Sequence, residues 1–220
     1  MSNPPAVRTA LVAGATGAIG NALLTRLLAD ARYGSVKVIS RRPLGLSHPK
    51  LMELLLAQKG PAALAEQLAA DDVFCCLGTT QKKAGSKAAF EQVDYQLVLD
   101  LARAAKPQGA KQFLVISSVG ASLKAASFYL RVKARMEQAV LDLGYTSTHI
   151  LRPSLLIAER AESRPGEWLG QKLAPLIDPF LLGGLSIYRS IPAEQVAEAM
   201  VTLALRNIAG GHTHHLPLPD

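Results

Sequence analysis

Ala10 to Ala13 is an unbroken apolar run, and beyond a glycine-rich turn Ile19, Leu23, Leu24, Leu27 and Leu28 recur at helical spacing. That change of period predicts strand, turn, helix. A strand without alternation is what burial on both faces of a sheet requires. Val36 to Ser40 predicts a second strand, closed by Pro43. PKLMELLLAQ, residues 49–58, fits either period, and its surroundings favour a third strand. PAALAEQLAAD predicts a short helix with Pro61 in its first turn.

The rhythm then repeats. DVFCCLG predicts a fourth strand, and residues 86–106 a long helix with Phe90, Val93, Leu97, Leu101 and Ala105 on its apolar face. KQFLVISSVG predicts a fifth strand. SFYLRVKARMEQAV predicts a helix whose stripe runs Phe128, Val132, Met136, Ala139, Val140 and on to Leu143. YTSTHILRPS predicts a sixth strand, ended by Pro153. From Glu162 onward prolines and glycines loosen the pattern, until a helix over 193–206 and a last strand around 214–216. Strands alternating with helices imply an α/β, doubly wound parallel sheet of Rossmann-like type. No repeat or linker divides the 220 residues, so one domain is expected, with about 155–190 as a small cap on the substrate side.

Composition changes this picture little. A hydrophobic fraction of 49% and a charged fraction of 19% are those of an ordinary globular chain. No apolar run reaches the roughly 18–20 residues of a membrane span. MSNPPAVRT shows no charged-then-apolar leader pattern, and the expectation is a soluble cytoplasmic protein without a membrane partner. The net charge of +7 is spread along the chain instead of gathered in a basic arm with interleaved aromatics, which argues against nucleic acid as a partner. Cys75 and Cys76 are adjacent, so strand geometry turns them to opposite faces and predicts reduced, buried thiols. His212, His214 and His215 lack nearby carboxylates and are divided by strand alternation, so no metal site is expected. Asp71 and Asp72, and Glu159 and Glu162, read as turn or surface charges.

Chemistry concentrates in three places. GATGAIG sets Gly14, Gly17 and Gly20 three residues apart, between a strand and a helix. The first allows a tight turn, the second lets backbone approach a pyrophosphate, and the third lets the helix pack closely. Where an NAD enzyme ends its second strand with an acid, this chain has Ser40, Arg41 and Arg42. Guanidinium groups grip a 2′-phosphate that a carboxylate would repel, which favours NADPH (NADP) as cofactor. Tyr129 and Lys133 lie one helical turn apart, about 100° round from the apolar stripe and just beyond Ser117 and Ser118 at the fifth strand's end. A tyrosine there is placed to protonate a carbonyl oxygen during reduction, with Lys133 beside it and Ser118 orienting the carbonyl; Ser117 is the alternative. A second pair, Tyr33 and Lys37, sits at the turn into the second strand and reads as accidental.

These features together resemble the short-chain dehydrogenase/reductase superfamily. FCCLGTTQKKAGS, YLRVK and LRPSLLIAERAESRPGEWL are similar, more specifically, to the atypical group containing the TIP30/HTATIP2 oxidoreductase-like proteins, over about residues 8–206. The resemblance implies NADPH contacts from Gly14, Thr16, Gly17, Ala18 and Ile19, from Arg41 and Arg42, and from Leu77, Gly78 and Thr79. It adds Tyr129, Lys133, Leu156 and Arg164, and implies Trp168 as a lid over the nicotinamide. The leading expectation is an NADPH-dependent reductase of a small carbonyl substrate, monomeric or homodimeric, with Tyr129 as proton donor. The competing one is an NADPH-binding regulator whose cap meets a protein partner.

Overall fold

The computed structural model describes residues 7–56, 61–154, 156–157 and 189–218. Seven strands form one parallel sheet: β1 (Arg8–Ala13), β2 (Tyr33–Ser40), β3 (Leu51–Leu55), β4 (Asp72–Cys75), β5 (Gln112–Ile116), β6 (Ser147–Arg152) and β9 (Gly210–His215). Their order is β3-β2-β1-β4-β5-β6-β9. The short strands β7 (Leu156–Ile157) and β8 (Ile191–Pro192) pair separately. The β1–β2 register shifts once, between Arg8 and Thr9, and then runs unbroken to Ala13, which stands opposite Ile39 on one side and Cys75 on the other.

Helices cover both faces. The apolar stripe of α1 (Ala18–Ala29) packs with α6 (Ala193–Arg206) on Ala10, Val12, Val36, Val38 and Phe74. On the opposite face α4 (Leu97–Ala105) and α5 (Phe128–Leu141) close over Leu11, Ala13, Val73, Phe113 and Val115. Alternate residues of each central strand therefore enter different cores, which is why those strands carry no polar face. Cys75 and Cys76 follow the same rule: both thiols are free, and they join opposite clusters.

Several elements differ from the sequence expectation. Residues Pro61–Gln67 form a 3-10 helix, and β2 begins at Tyr33, so Tyr33 and Lys37 are strand residues. After the short α2 (Gln81–Ala84), the predicted long helix is interrupted: α3 (Lys87–Glu91) passes into a π turn, Gln92–Gln96, before α4. The wider turn advances the phase, so Asp94 and Val98 are buried where Val93 and Leu97 stand half-buried. Asp72 is no surface charge. It is fully buried, 2.5 Å from Arg8 Nη2, and its Oδ2 accepts from Tyr33 Oη at 2.8 Å. Burial raises the Asp72 carboxyl above its ordinary range, and the Arg8 guanidinium opposes that rise.

At the sheet's edge, β9 places His212 opposite His149 of β6. The expected cluster therefore gains a fully buried member: ring centroids lie 5.4 Å apart for His149–His212 and 5.2 Å for His149–His214. The Ser147 hydroxyl donates to the Ile208 carbonyl, so the His149 Nε2 it also meets, at 3.0 Å, must carry the ring proton. His149 Nδ1 then accepts from His214 Nε2 at 2.9 Å. A second proton on His149 would set two N–H groups face to face. Burial first, and then His214, His212 and Arg206, push the His149 imidazole down to about 4. The neutral ring belongs to the folded state, so its contribution is complete above the ordinary histidine value of 6.5 and is lost as pH falls toward about 4. Solvent reaching His212 and His214 reduces the effect to about 1–2 kcal/mol. Urea denaturation across that window is expected to show the loss, and a His149→Gln variant to flatten that part of the slope.

Candidate active site

Going out from β1, the strand order runs to β2 and β3 one way and to β4, β5 and β6 the other. Such a reversal opens a crevice beyond the carboxyl ends of β1 and β4. Gly14, directly after β1, has φ +85°, and a Cβ there would lie 2.6 Å from the Cys76 carbonyl oxygen. A Cβ on Gly20 would lie 2.1 Å from the Gly14 carbonyl oxygen. Neither position has room for a methyl group. Gly17 differs, because its Cβ would meet nothing nearer than 3.4 Å.

Gly17 N–H donates to the Gly14 carbonyl at 3.0 Å, and Gly17 is the residue that opens α1. No side chain caps that end and no acid stands in the first turn. The N–H groups of Ala18 and Ile19 therefore project without an intrahelical acceptor, beside exposed Thr16 and Gly17. This is a backbone cradle for an anion. One strand over, the Ser40 hydroxyl holds the Arg42 carbonyl at 2.8 Å and fastens the turn after β2. Arg41 and Arg42 are exposed there, and among the described residues neither has a carboxylate partner. A dinucleotide phosphate fits this arrangement.

Lys133 lies on α5, only 3% exposed, with Nζ 2.9 Å from Oδ1 of Asp94, which is fully buried. The contact is a close ion pair, although it lies off hydrogen-bond alignment. Lys133 Nζ also donates to the Ile116 carbonyl at 3.2 Å, at the end of β5. Burial works against its charge, but Asp94, followed by Tyr129 and Cys75, outweighs that and raises the Lys133 ammonium above the ordinary lysine value. Asp94 has a second role: Oδ2 accepts from the Thr79 backbone N–H at 2.8 Å. Gly78 lies against this pair: a Cβ there would stand 3.6 Å from Asp94 Oδ1 and 3.9 Å from Lys133 Nζ, which are ordinary contact distances.

Tyr129, one turn before Lys133, is half-buried with its ring 5.5 Å from that of Phe90. The two serines divide. The Ser117 hydroxyl donates to Glu137 Oε1 at 2.5 Å, and Glu137 in turn receives Nε and Nη2 of Arg152. Ser118 is half-buried, and its hydroxyl meets the neighbouring Val119 carbonyl at 3.2 Å. Leu77, Gly78 and Thr79 stand where the crevice predicts, just past β4. Leu156 belongs to β7, which pairs with β8. Arg164, Trp168 and most of the anticipated cap lie outside the described residues. The burial of Cys75, which pushes its thiol up to about 12, removes it as a nucleophile.

Residues 14–206 match a family described as NAD(P)H-binding. The chain belongs to it. More closely, it is a member of the atypical short-chain dehydrogenase/reductase group, as two relatives show. Protein HTATIP2 of Rattus norvegicus is 33% identical over 198 residues, covering 88% of this chain and 80% of its own. The protein FMP52, mitochondrial, of Coccidioides immitis is 31% identical over 219 residues, covering 92% and 87%. Among solved structures, the Bordetella bronchiseptica enzyme WbmH in complex with NAD+ has a similar fold: TM-score 0.66 at 18% identity, over 95% of this chain and 75% of that one. This NAD(P)H-binding oxidoreductase family thus has its glycine turn, β4 end and tyrosine–lysine helix assembled here around one crevice.

Gly14 and Gly17 make separable predictions. Gly14→Ala meets both a positive φ and the Cys76 carbonyl, and is expected to cost about 2–4 kcal/mol in urea denaturation. Gly17→Ala is expected to leave stability within about 0.5–1 kcal/mol yet weaken dinucleotide binding at least about tenfold, if the pyrophosphate is taken up at the opening of α1.

Proposed function

We propose that this family member is an NADPH-dependent reductase of a small carbonyl compound. The observation that carries the reading is the position of Tyr129 and Lys133 together on α5, with the lysine bonded to the end of β5 and ion-paired to the residue that holds the end of β4. A nicotinamide bound in the crevice would supply the hydride. The protein's own groups do the rest. Tyr129 Oη is the proton source for the carbonyl oxygen. Lys133 has three protons; one goes to Ile116 and one faces Asp94, which leaves one for the cofactor ribose or the tyrosine oxygen. Ser118 orients the substrate, because its weak bond to an adjacent carbonyl exchanges readily, whereas the Ser117 proton is held by a buried carboxylate.

The preference for NADPH rests on Arg41 and Arg42. Two exposed guanidinium groups at the end of β2, with Ser40 where an acid would sit, suit a 2′-phosphate. Calorimetric titration with NADPH and NADH is the direct test. Micromolar NADPH binding at least about tenfold tighter than NADH is expected, and Arg41→Ala with Arg42→Ala should erase that difference without weakening NADH. Equal affinities in the unaltered protein would overturn the cofactor assignment.

Turnover is tested with Tyr129→Phe on a panel of aldehydes and ketones. Loss of about 10²–10⁴ in kcat with NADPH affinity retained supports the proton-donor role. A protein that binds NADPH, reduces none of the panel and is unchanged by Tyr129→Phe would be a dinucleotide sensor instead.

A further inference from the structure

The geometry points to Glu53, on the edge strand β3, as the residue that sets the preference for NADPH by positioning the turn that carries Arg41 and Arg42. The inference deepens the cofactor assignment and rests on it. Glu53 is the one charged residue of β3 and stands opposite Val38 of β2. Its Oε2 accepts from the backbone N–H of Leu44 at 2.8 Å. Among the described residues it joins no ion pair, so the carboxylate is engaged with backbone and leaves both guanidinium groups to a ligand. A charged acceptor holds an N–H more firmly than a neutral one.

That bond closes a frame around the two arginines. Before them, Ser40 is tied to β3 by the Leu56 N–H, which donates to its carbonyl at 2.7 Å, and the Ser40 hydroxyl holds the Arg42 carbonyl. After them, Leu44 is held by Glu53, and its side chain packs on the core shared by α1 and α6. Arg41 and Arg42 thus stand between two anchors on β3, with their backbone placed before any phosphate arrives. A loose turn would have to be ordered at each binding event, at the expense of affinity. The effect is confined to the one group that separates the two dinucleotides, because NADH carries no 2′-phosphate. Its sign separates position from charge. Acting through charge alone, Glu53 would repel the 2′-phosphate, and its removal would tighten NADPH binding. Acting through Leu44, its removal weakens NADPH.

The test titrates wild type, Glu53→Ala and Glu53→Gln with NADPH and NADH by calorimetry, and follows hydrogen exchange of the Leu44 amide by NMR. In Glu53→Ala the Leu44 amide is expected to exchange at least about tenfold faster, with NADPH bound about fivefold to tenfold more weakly and NADH within about twofold of wild type. Glu53→Gln keeps an oxygen for the Leu44 N–H and is expected to stay within about threefold of wild type for both dinucleotides. Tighter or unchanged NADPH binding in Glu53→Ala overturns the inference. So does equal weakening of NADPH and NADH, since Glu53 then supports the fold and not the preference. Should Glu53→Ala not fold, Glu53→Asp withdraws the carboxylate by one methylene. At least about threefold weaker binding of NADPH alone supports positioning, and wild-type affinity overturns it. A wild-type protein without preference for NADPH overturns the cofactor assignment and this inference with it. A preference that is present in wild type and intact in Glu53→Ala overturns this inference alone.

Discussion

Behind Gly14 two stretches of backbone meet with no space for a methyl group, and much of the site depends on that contact. The Cys76 carbonyl occupies the space that a Gly14 Cβ would need, and the Gly14 carbonyl does the same to Gly20. The first approach ties the end of β1 to the end of β4; the second seats the first turn of α1 on the glycine turn. Together they aim the unpaired N–H groups of α1 across the crevice and bring Leu77, Gly78 and Thr79 to its wall. From Thr79 the connection continues through Asp94 to Lys133 and from Lys133 to Ile116. The glycine turn and the tyrosine–lysine helix are therefore registered to each other through backbone contacts and two buried side chains.

Among the described residues three carboxylates are buried, and each one joins elements that would otherwise only lie side by side. Asp72 links β4 to β1 through Arg8 and to β2 through Tyr33. Asp94 links the π turn to the end of β4 and to α5. Glu137, 5% exposed, links α5 to β6 through Arg152 and to the residue after β5 through Ser117. Desolvation offsets most of the attraction in such pairs, so their value lies less in stability than in excluding other registers. Two of the three sit at the carboxyl ends of the strands, where a ligand has to be met with fixed geometry.

The alternation of elements, the glycine turn and the tyrosine–lysine helix were legible because each is written locally: a run of four apolar residues, a three-residue spacing, a four-residue spacing. What escaped is what depends on pairing across the fold. Asp94 was passed over because only the apolar residues of the stripe were read, although a regular helix over 86–106 already sets it between Leu101 and Ala105 on that face. A period of four through Phe90, Asp94 and Val98 was the available signal. Asp72 looked like a turn charge because Arg8, its partner, lies 64 residues earlier. His149 drew no attention inside an apolar strand, and only the register of β9 brings it against His212 and His214. The different settings of Ser117 and Ser118 likewise depend on Glu137, which sequence position alone does not connect to either.

The contrast between the two sets of cations follows from the dielectric around them. Arg41 and Arg42 stand in solvent, where an isolated charge costs little to keep and a forked contact to phosphate gains specificity from geometry. Screening there limits what a single pair contributes, which favours using two. Lys133 is in the interior, where an unpaired ammonium would lose its proton. It stays charged only because Asp94 shares its site, and that neutralisation also limits the field it projects on its neighbours. A lysine held this way acts through where its proton points more than through its net charge. Orientation is then the property the surrounding structure must protect, and a carboxylate anchored to the β4 backbone protects it more firmly than solvent or a flexible side chain would.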